Sequence, residues 1–180
     1  RIQRFLGATE EIFEIFEATE EEISQDIAIS PEFTLNGNIS FDKIKFTYPS
    51  RPDEIVLDDV SFKIEKNQMV ALVGPSGSGK STIASLLLRL YDPQEGKIMF
   101  DSLQSLDIPL SQLRNQIALV PQDTFLFGGS IRENIAYGKP SADEAAIIEA
   151  AKKANAWEFI ERFPAGMDTV VGERGTQLSG

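Results

Sequence analysis

Residues 74–81 read Gly74-Pro75-Ser76-Gly77-Ser78-Gly79-Lys80-Ser81, and this octet restricts the fold more than any other stretch. It satisfies G-x-x-x-x-G-K-[ST] at every fixed position. Glycines let the backbone turn sharply and bring N–H groups towards one point, where side chains would obstruct an anion. Lys80 adds a mobile positive charge, and Ser81 adds a hydroxyl suited to Mg²⁺. A helix starting at the lysine would turn the positive end of its dipole on the same anion. The apolar run 69–73 suits a buried parallel strand before the loop, and 82–90 suits a buried helix after it. Strand, glycine-rich loop and helix form the setting in which this pattern cradles phosphate rather than making a simple turn. The expected nucleotide ligands are Gly74, Ser76, Gly77, Ser78, Gly79, Lys80, Ser81 and Thr82.

Around the loop the hydrophobic period changes with position. Phe5, Ala8, Ile12, Ile15 and Phe16 recur at helical steps with glutamates between them, so residues 1–30 read as a helical arm. Ser30-Pro31 and Asn36-Gly37-Asn38 interrupt it, and the domain of residues 31–180 begins there. Ile39 and Phe41 alternate, then the phase slips by one before Ile44, Phe46 and Tyr48, which predicts a bulged strand. Val60, Phe62 and Ile64 mark a second strand of an antiparallel layer. Further strands are expected at 97–100 and, as a buried run, at 117–120. A short helix is expected at 111–114. A helix over 143–163 would carry Ala145, Ile148, Ala151 and Ala154 on one face. The sum is an α/β chain: a P-loop NTPase core with an antiparallel β layer and a helical insertion after Gly129.

Composition narrows the partners. The chain has no cysteine and no histidine, which removes disulfides, thiolate metal sites and the commonest general base. Phe5 to Asp42 holds ten acidic residues and no Lys or Arg, so with Arg1 and Arg4 the first 42 residues carry −8 of the net −11. The remaining −3 lies on residues 43–180, a balance that argues against a nucleic-acid-binding face. No apolar run reaches the roughly 18 residues that a membrane helix needs.

Ordered motifs beside the loop identify a resemblance. Phe46-Thr47-Tyr48-Pro49, then Val56-Leu57-Asp58-Asp59-Val60-Ser61-Phe62, then residues 74–82 resemble the ATP-binding domain of ABC transporters. Val120-Pro121-Gln122-Asp123 is similar to that family's Q-loop. Phe125-Leu126-Phe127 with Ser130-Ile131-Arg132-Glu133-Asn134-Ile135 is similar to its exporter subgroup. Thr169-Val170-Val171-Gly172-Glu173-Arg174-Gly175 resembles the X-loop, and Leu178-Ser179-Gly180 the opening of the LSGGQ signature. The resemblance covers roughly residues 38–180.

Roles follow from the resemblance. Tyr48 would stack on the adenine of ATP. Ser81 and Gln122 would attend Mg²⁺, Gln122 also meeting the attacking water and linking the site to the transmembrane partner. Ser179 and Gly180 would contact ATP held by a second ATP-binding domain in a head-to-tail dimer. Glu173 would face the transporter's coupling helices. The arm would extend the last membrane helix of a transmembrane domain, placing the domain on the cytoplasmic face of a membrane.

The departures are also informative. After the signature opening the 180 residues hold no apolar strand ending in Asp-Glu, so Walker B and its adjacent glutamate are expected to be missing, as is the switch histidine. The chain is therefore expected to be an incomplete domain that binds ATP without hydrolysing it, since P-loop hydrolysis needs an acidic Mg²⁺ anchor and a group that orients water. Asp101-Ser102 stands where the family usually has Asp-Gly. One alternative is a soluble P-loop enzyme such as a small-molecule kinase, but residues 169–180 weigh against it. A nucleic-acid-associated ABC module would need a basic face, and a noncatalytic ATP-binding interaction domain is the third reading.

Overall fold

The structure is a computed structural model that describes residues 34–122 and 125–172. The expected arm, Glu173, Ser179 and Gly180 lie outside the described residues. The chain divides into two compact units, Arg1–Ala118 and Leu119–Gly180.

The first unit is built on an antiparallel sheet. Strands β1 (Ile39–Thr47), β2 (Ile55–Ile64), β3 (Glu95–Phe100) and β4 (Leu103–Gln104) lie in the order β2-β1-β3-β4. The phase slip in β1 is a bulge. Phe41 and Ile44, three residues apart, are both buried on one face, which alternation forbids unless an extra residue intervenes. That residue is Lys43, at φ 52°, and the pairing with both neighbours shifts there. Gly96 faces the bulge, where a Cβ would stand 2.4 Å from the Lys43 carbonyl oxygen.

Helix α1 (Lys80–Leu87) and the short α2 (Leu110–Arg114) complete this unit. Ile83 and Leu86 of α1 join Phe41, Phe46, Leu57, Ile98 and Phe100 in the core. α1 is shorter than the sequence predicts. It ends in a Schellman turn, with Arg89 at φ 51° and N–H bonds from Leu90 to Ser85 and from Arg89 to Leu86. Glycine usually fills that left-handed position. Arg89 takes it with its guanidinium donating to the Ser105 and Ile108 carbonyls, while Arg114 donates to the Leu88 and Arg89 carbonyls.

Asp101 opens the β3–β4 turn at φ 54° and fastens the chain's entry into β1. Its carboxylate accepts from Asn36 N–H (2.6 Å), Asn38 N–H (3.1 Å) and the Asn38 amide (2.9 Å). Burial acts to raise its pKa, but the hydrogen bonds from Asn36, Asn38 and Gly37 together hold it below the ordinary carboxylate value. A carboxyl depressed by folding stabilises fully above its unfolded value, and that contribution is lost as pH falls through the lower folded value. Asp101→Ala is expected to cost about 1.5–3 kcal/mol at neutral pH, the worth of hydrogen bonds to a charged group. Denaturant titrations should show the gap to wild type closing below about pH 4. A gap independent of pH would contradict this.

Two expected strands do not form. Among the described residues neither 69–73 nor 117–120 joins a sheet, and Met69, Val73 and Val120 are 98%, 92% and 88% exposed. An apolar run favours burial but carries no hydrogen-bond partner, and a parallel strand depends on neighbours for its N–H and C=O groups.

The second unit is the helical insertion expected after Gly129. A ribbon of β5 (Gly129–Ser130) and β6 (Val170–Val171) accompanies α3 (Ile131–Ala136), α4 (Glu144–Lys153) and α5 (Trp157–Ile160). Ser130 and Glu133 form a reciprocal capping box at α3, and the Asp143 carboxylate caps α4. The single helix predicted over 143–163 is instead two. Asn155, at φ 56°, stops α4 in a second Schellman turn, with Ala156 N–H on the Ala151 carbonyl. The buried face of α4 is Ile147 and Ala151 with Ile148 beside them, whereas Ala145 and Ala154 are exposed.

Candidate nucleotide-binding site

The glycine-rich loop runs directly into α1. Gly77 and Gly79 stand at φ 82° and 84°, and Gly79 is the residue before the helix. A Cβ on Gly79 would meet Leu57 Cδ2 at 2.6 Å and the Val56 carbonyl at 3.2 Å, so the loop is pressed onto β2 at this point. Beyond it the first helical hydrogen bond is Ile83 N–H to Gly79 C=O. The N–H groups of Lys80, Ser81 and Thr82 therefore lie in the first turn, where no intrahelical acceptor exists for them. Together with the helix dipole they make an anion-binding end.

Lys80 folds back into this loop. Its Nζ donates to the Gly74 and Pro75 carbonyls at 3.0 and 2.7 Å and approaches Ser78 Oγ at 3.4 Å. The ammonium thus sits among the loop's own oxygens, close to the exposed Ser78. Ser81 is exposed on the first turn of α1.

Tyr48 comes to the same helix from the end of β1. Its hydroxyl is 2.9 Å from Thr82 Oγ1, and Thr82 is buried. The Thr82 hydroxyl is thereby engaged within the protein. The Tyr48 ring meets Phe46 edge-on at 4.9 Å and Tyr91 edge-on at 5.1 Å. Neither the Thr82 partnership nor Tyr91 was apparent in the sequence, because the contacts join residues 34 and 43 positions apart. The available signal was the aromatic Tyr91 shortly after α1.

Gln122 belongs to the second unit and is exposed. Among the described residues no cluster of three or more His, Cys, Asp or Glu side chains is placed to hold a metal. The donor types of Ser81 and Gln122 nonetheless fit Mg²⁺, which takes oxygen ligands and is commonly held by few protein groups plus phosphates and water.

A family profile described as ABC transporter matches residues 57–180. Over 179 residues the chain is 44% identical to the ATP-dependent lipid A-core flippase of Chromobacterium violaceum, a match covering 99% of this chain and 30% of that protein. It is 49% identical over 144 residues to the ABC multidrug transporter mdr2 of Aspergillus fumigatus, covering 80% of this chain and 18% of that one. A solved bacterial Atm1-family ABC exporter with ATP bound aligns at a TM-score of 0.82 and 41% identity, over 99% of this chain and 31% of the exporter. The chain spans about a third or less of the length of these relatives.

Proposed function

The chain belongs to the ABC transporter family as an ATP-binding domain related to the exporter and multidrug members, and from that membership we propose that it serves in a transporter that drives export by binding and hydrolysing ATP. The observation that carries this reading is the phosphate loop itself: left-handed Gly77 and Gly79, three first-turn N–H groups, and Lys80 Nζ held at the loop's centre. Phosphate oxygens carry more negative charge than the Gly74 and Pro75 carbonyls, so they would draw the ammonium away from them. The Tyr48 ring would receive the base. Ser81 would hold Mg²⁺, which when bound neutralises charge on the terminal phosphates.

The wider assembly belongs to the same proposal. Residues 1–30 form the arm from a transmembrane domain, and 31–180 form the ATP-binding domain on the cytoplasmic side. Gln122 and Glu173 face the membrane partner, and Ser179 and Gly180 reach the nucleotide of a second, head-to-tail ATP-binding domain. With no histidine and no Asp-Glu at the end of an apolar strand, the 180 residues alone would bind ATP without turnover. Phosphate release by the full-length protein in lipid vesicles tests the reading. Turnover is expected for wild type, none above background for Lys80→Ala, and none for the 180-residue chain. Equal turnover by wild type and Lys80→Ala would refute it.

A further inference from the structure

The segment that leaves α1 returns to the residue assigned to the base. After the Arg89 turn, Tyr91 packs on both aromatic residues at the end of β1: its ring lies 5.1 Å from Tyr48 at 89° and 5.8 Å from Phe46 at 57°. Gln94 then fastens the segment to the strand. Its side chain donates to the Thr47 carbonyl (3.0 Å) and accepts from the Thr47 N–H (2.9 Å), while its own N–H donates to the Lys45 carbonyl (3.1 Å). Those bonds fix the backbone immediately before Tyr48, and Thr82 fixes its hydroxyl end.

We infer that Tyr91 is a positioning residue for base recognition, holding the Tyr48 ring in the plane that receives the base. The inference rests on the base-stacking role proposed for Tyr48. Two rings packed at steep angles against Tyr48, with a hydrogen bond at its tip, oppose rotation of its ring, because any turn breaks at least one contact. A stacking partner that is already oriented loses less freedom when ligand binds. Tyr91 is 40% exposed, so its ring is not held there by core burial alone.

The test compares ATP with inorganic triphosphate, which has no base, in titrations of the full-length protein. Tyr91→Ala is expected to weaken ATP binding about 3- to 10-fold, the size of an edge-to-face pair, and to leave triphosphate binding unchanged. Tyr91→Phe, which keeps the ring, should bind ATP like wild type. The Tyr48→Ala/Tyr91→Ala double variant should be no weaker than Tyr48→Ala. Wild-type ATP affinity in Tyr91→Ala, with Tyr48→Ala impaired, would overturn the inference and spare the base assignment. Equal loss of both ligands, or additive loss in the double variant, would also overturn it. Unchanged ATP affinity in Tyr48→Ala would instead remove the base assignment, and the inference with it.

Discussion

Gly79→Ala is expected to destabilise the ATP-binding domain by about 2–5 kcal/mol and to abolish measurable ATP binding. Two separate costs add. An alanine at φ 84° occupies the left-handed region, which disfavours a Cβ by about 1–2 kcal/mol. That Cβ would also stand 2.6 Å from Leu57 Cδ2, and Leu57, 3% exposed, is enclosed by the core. Relieving such overpacking costs about 1–3 kcal/mol more and would move the loop off β2. Gly77→Ala is the control. Gly77 shares the positive φ, but nothing lies within 4 Å of an added Cβ, so only the backbone cost of about 1–2 kcal/mol should appear. Denaturant unfolding of both variants separates the terms. Equal losses would show that contact with β2 does not hold the loop.

Phe46→Ala should cost about 3–5 kcal/mol, the range for deleting a large buried aromatic side chain. Phe46 is 1% exposed and contacts both Tyr48 and Tyr91, so the cavity would open beneath the proposed base platform. A loss of this size is a large part of a domain's net stability of about 5–15 kcal/mol. Thermal unfolding with and without ATP gives the readout. A lower midpoint with reduced stabilisation by ATP is expected, whereas an unchanged midpoint would show that the aromatic cluster is not part of the cooperative core.

The parts of this fold that were legible in the sequence are those specified by local geometry. The phosphate loop is one: its glycines, its lysine and the start of the helix behind it lie within nine consecutive residues, and the positive φ angles fall on glycines. The β1 bulge is another, because a phase slip between Phe41 and Ile44 records which side chains share a face. Features set by distant partners were hidden. Residues 69–73 and 117–120 have strand composition, yet no strand among the described residues pairs with them. The ends of α1 and α4 were misplaced because Arg89 and Asn155 take left-handed positions with no glycine to announce them. At the site, the left-handed turn at Gly79 and the helix start at Lys80 follow from local sequence, whereas the Tyr48–Thr82 bond and the return of Tyr91 and Gln94 depend on long-range packing.

Calorimetric titration of MgATP into the full-length protein, wild type against Lys80→Ala, tests the central claim most directly. Lys80 Nζ lies at the centre of the loop, within hydrogen-bonding distance of the Gly74 and Pro75 carbonyls, and is proposed to transfer those bonds to phosphate. Its removal is expected to weaken binding by about 1.5–3 kcal/mol, the worth of charge-assisted hydrogen bonds. That corresponds to about 10- to 100-fold in affinity. Equal affinities for wild type and Lys80→Ala would contradict the assignment of residues 74–82 as the phosphate cradle.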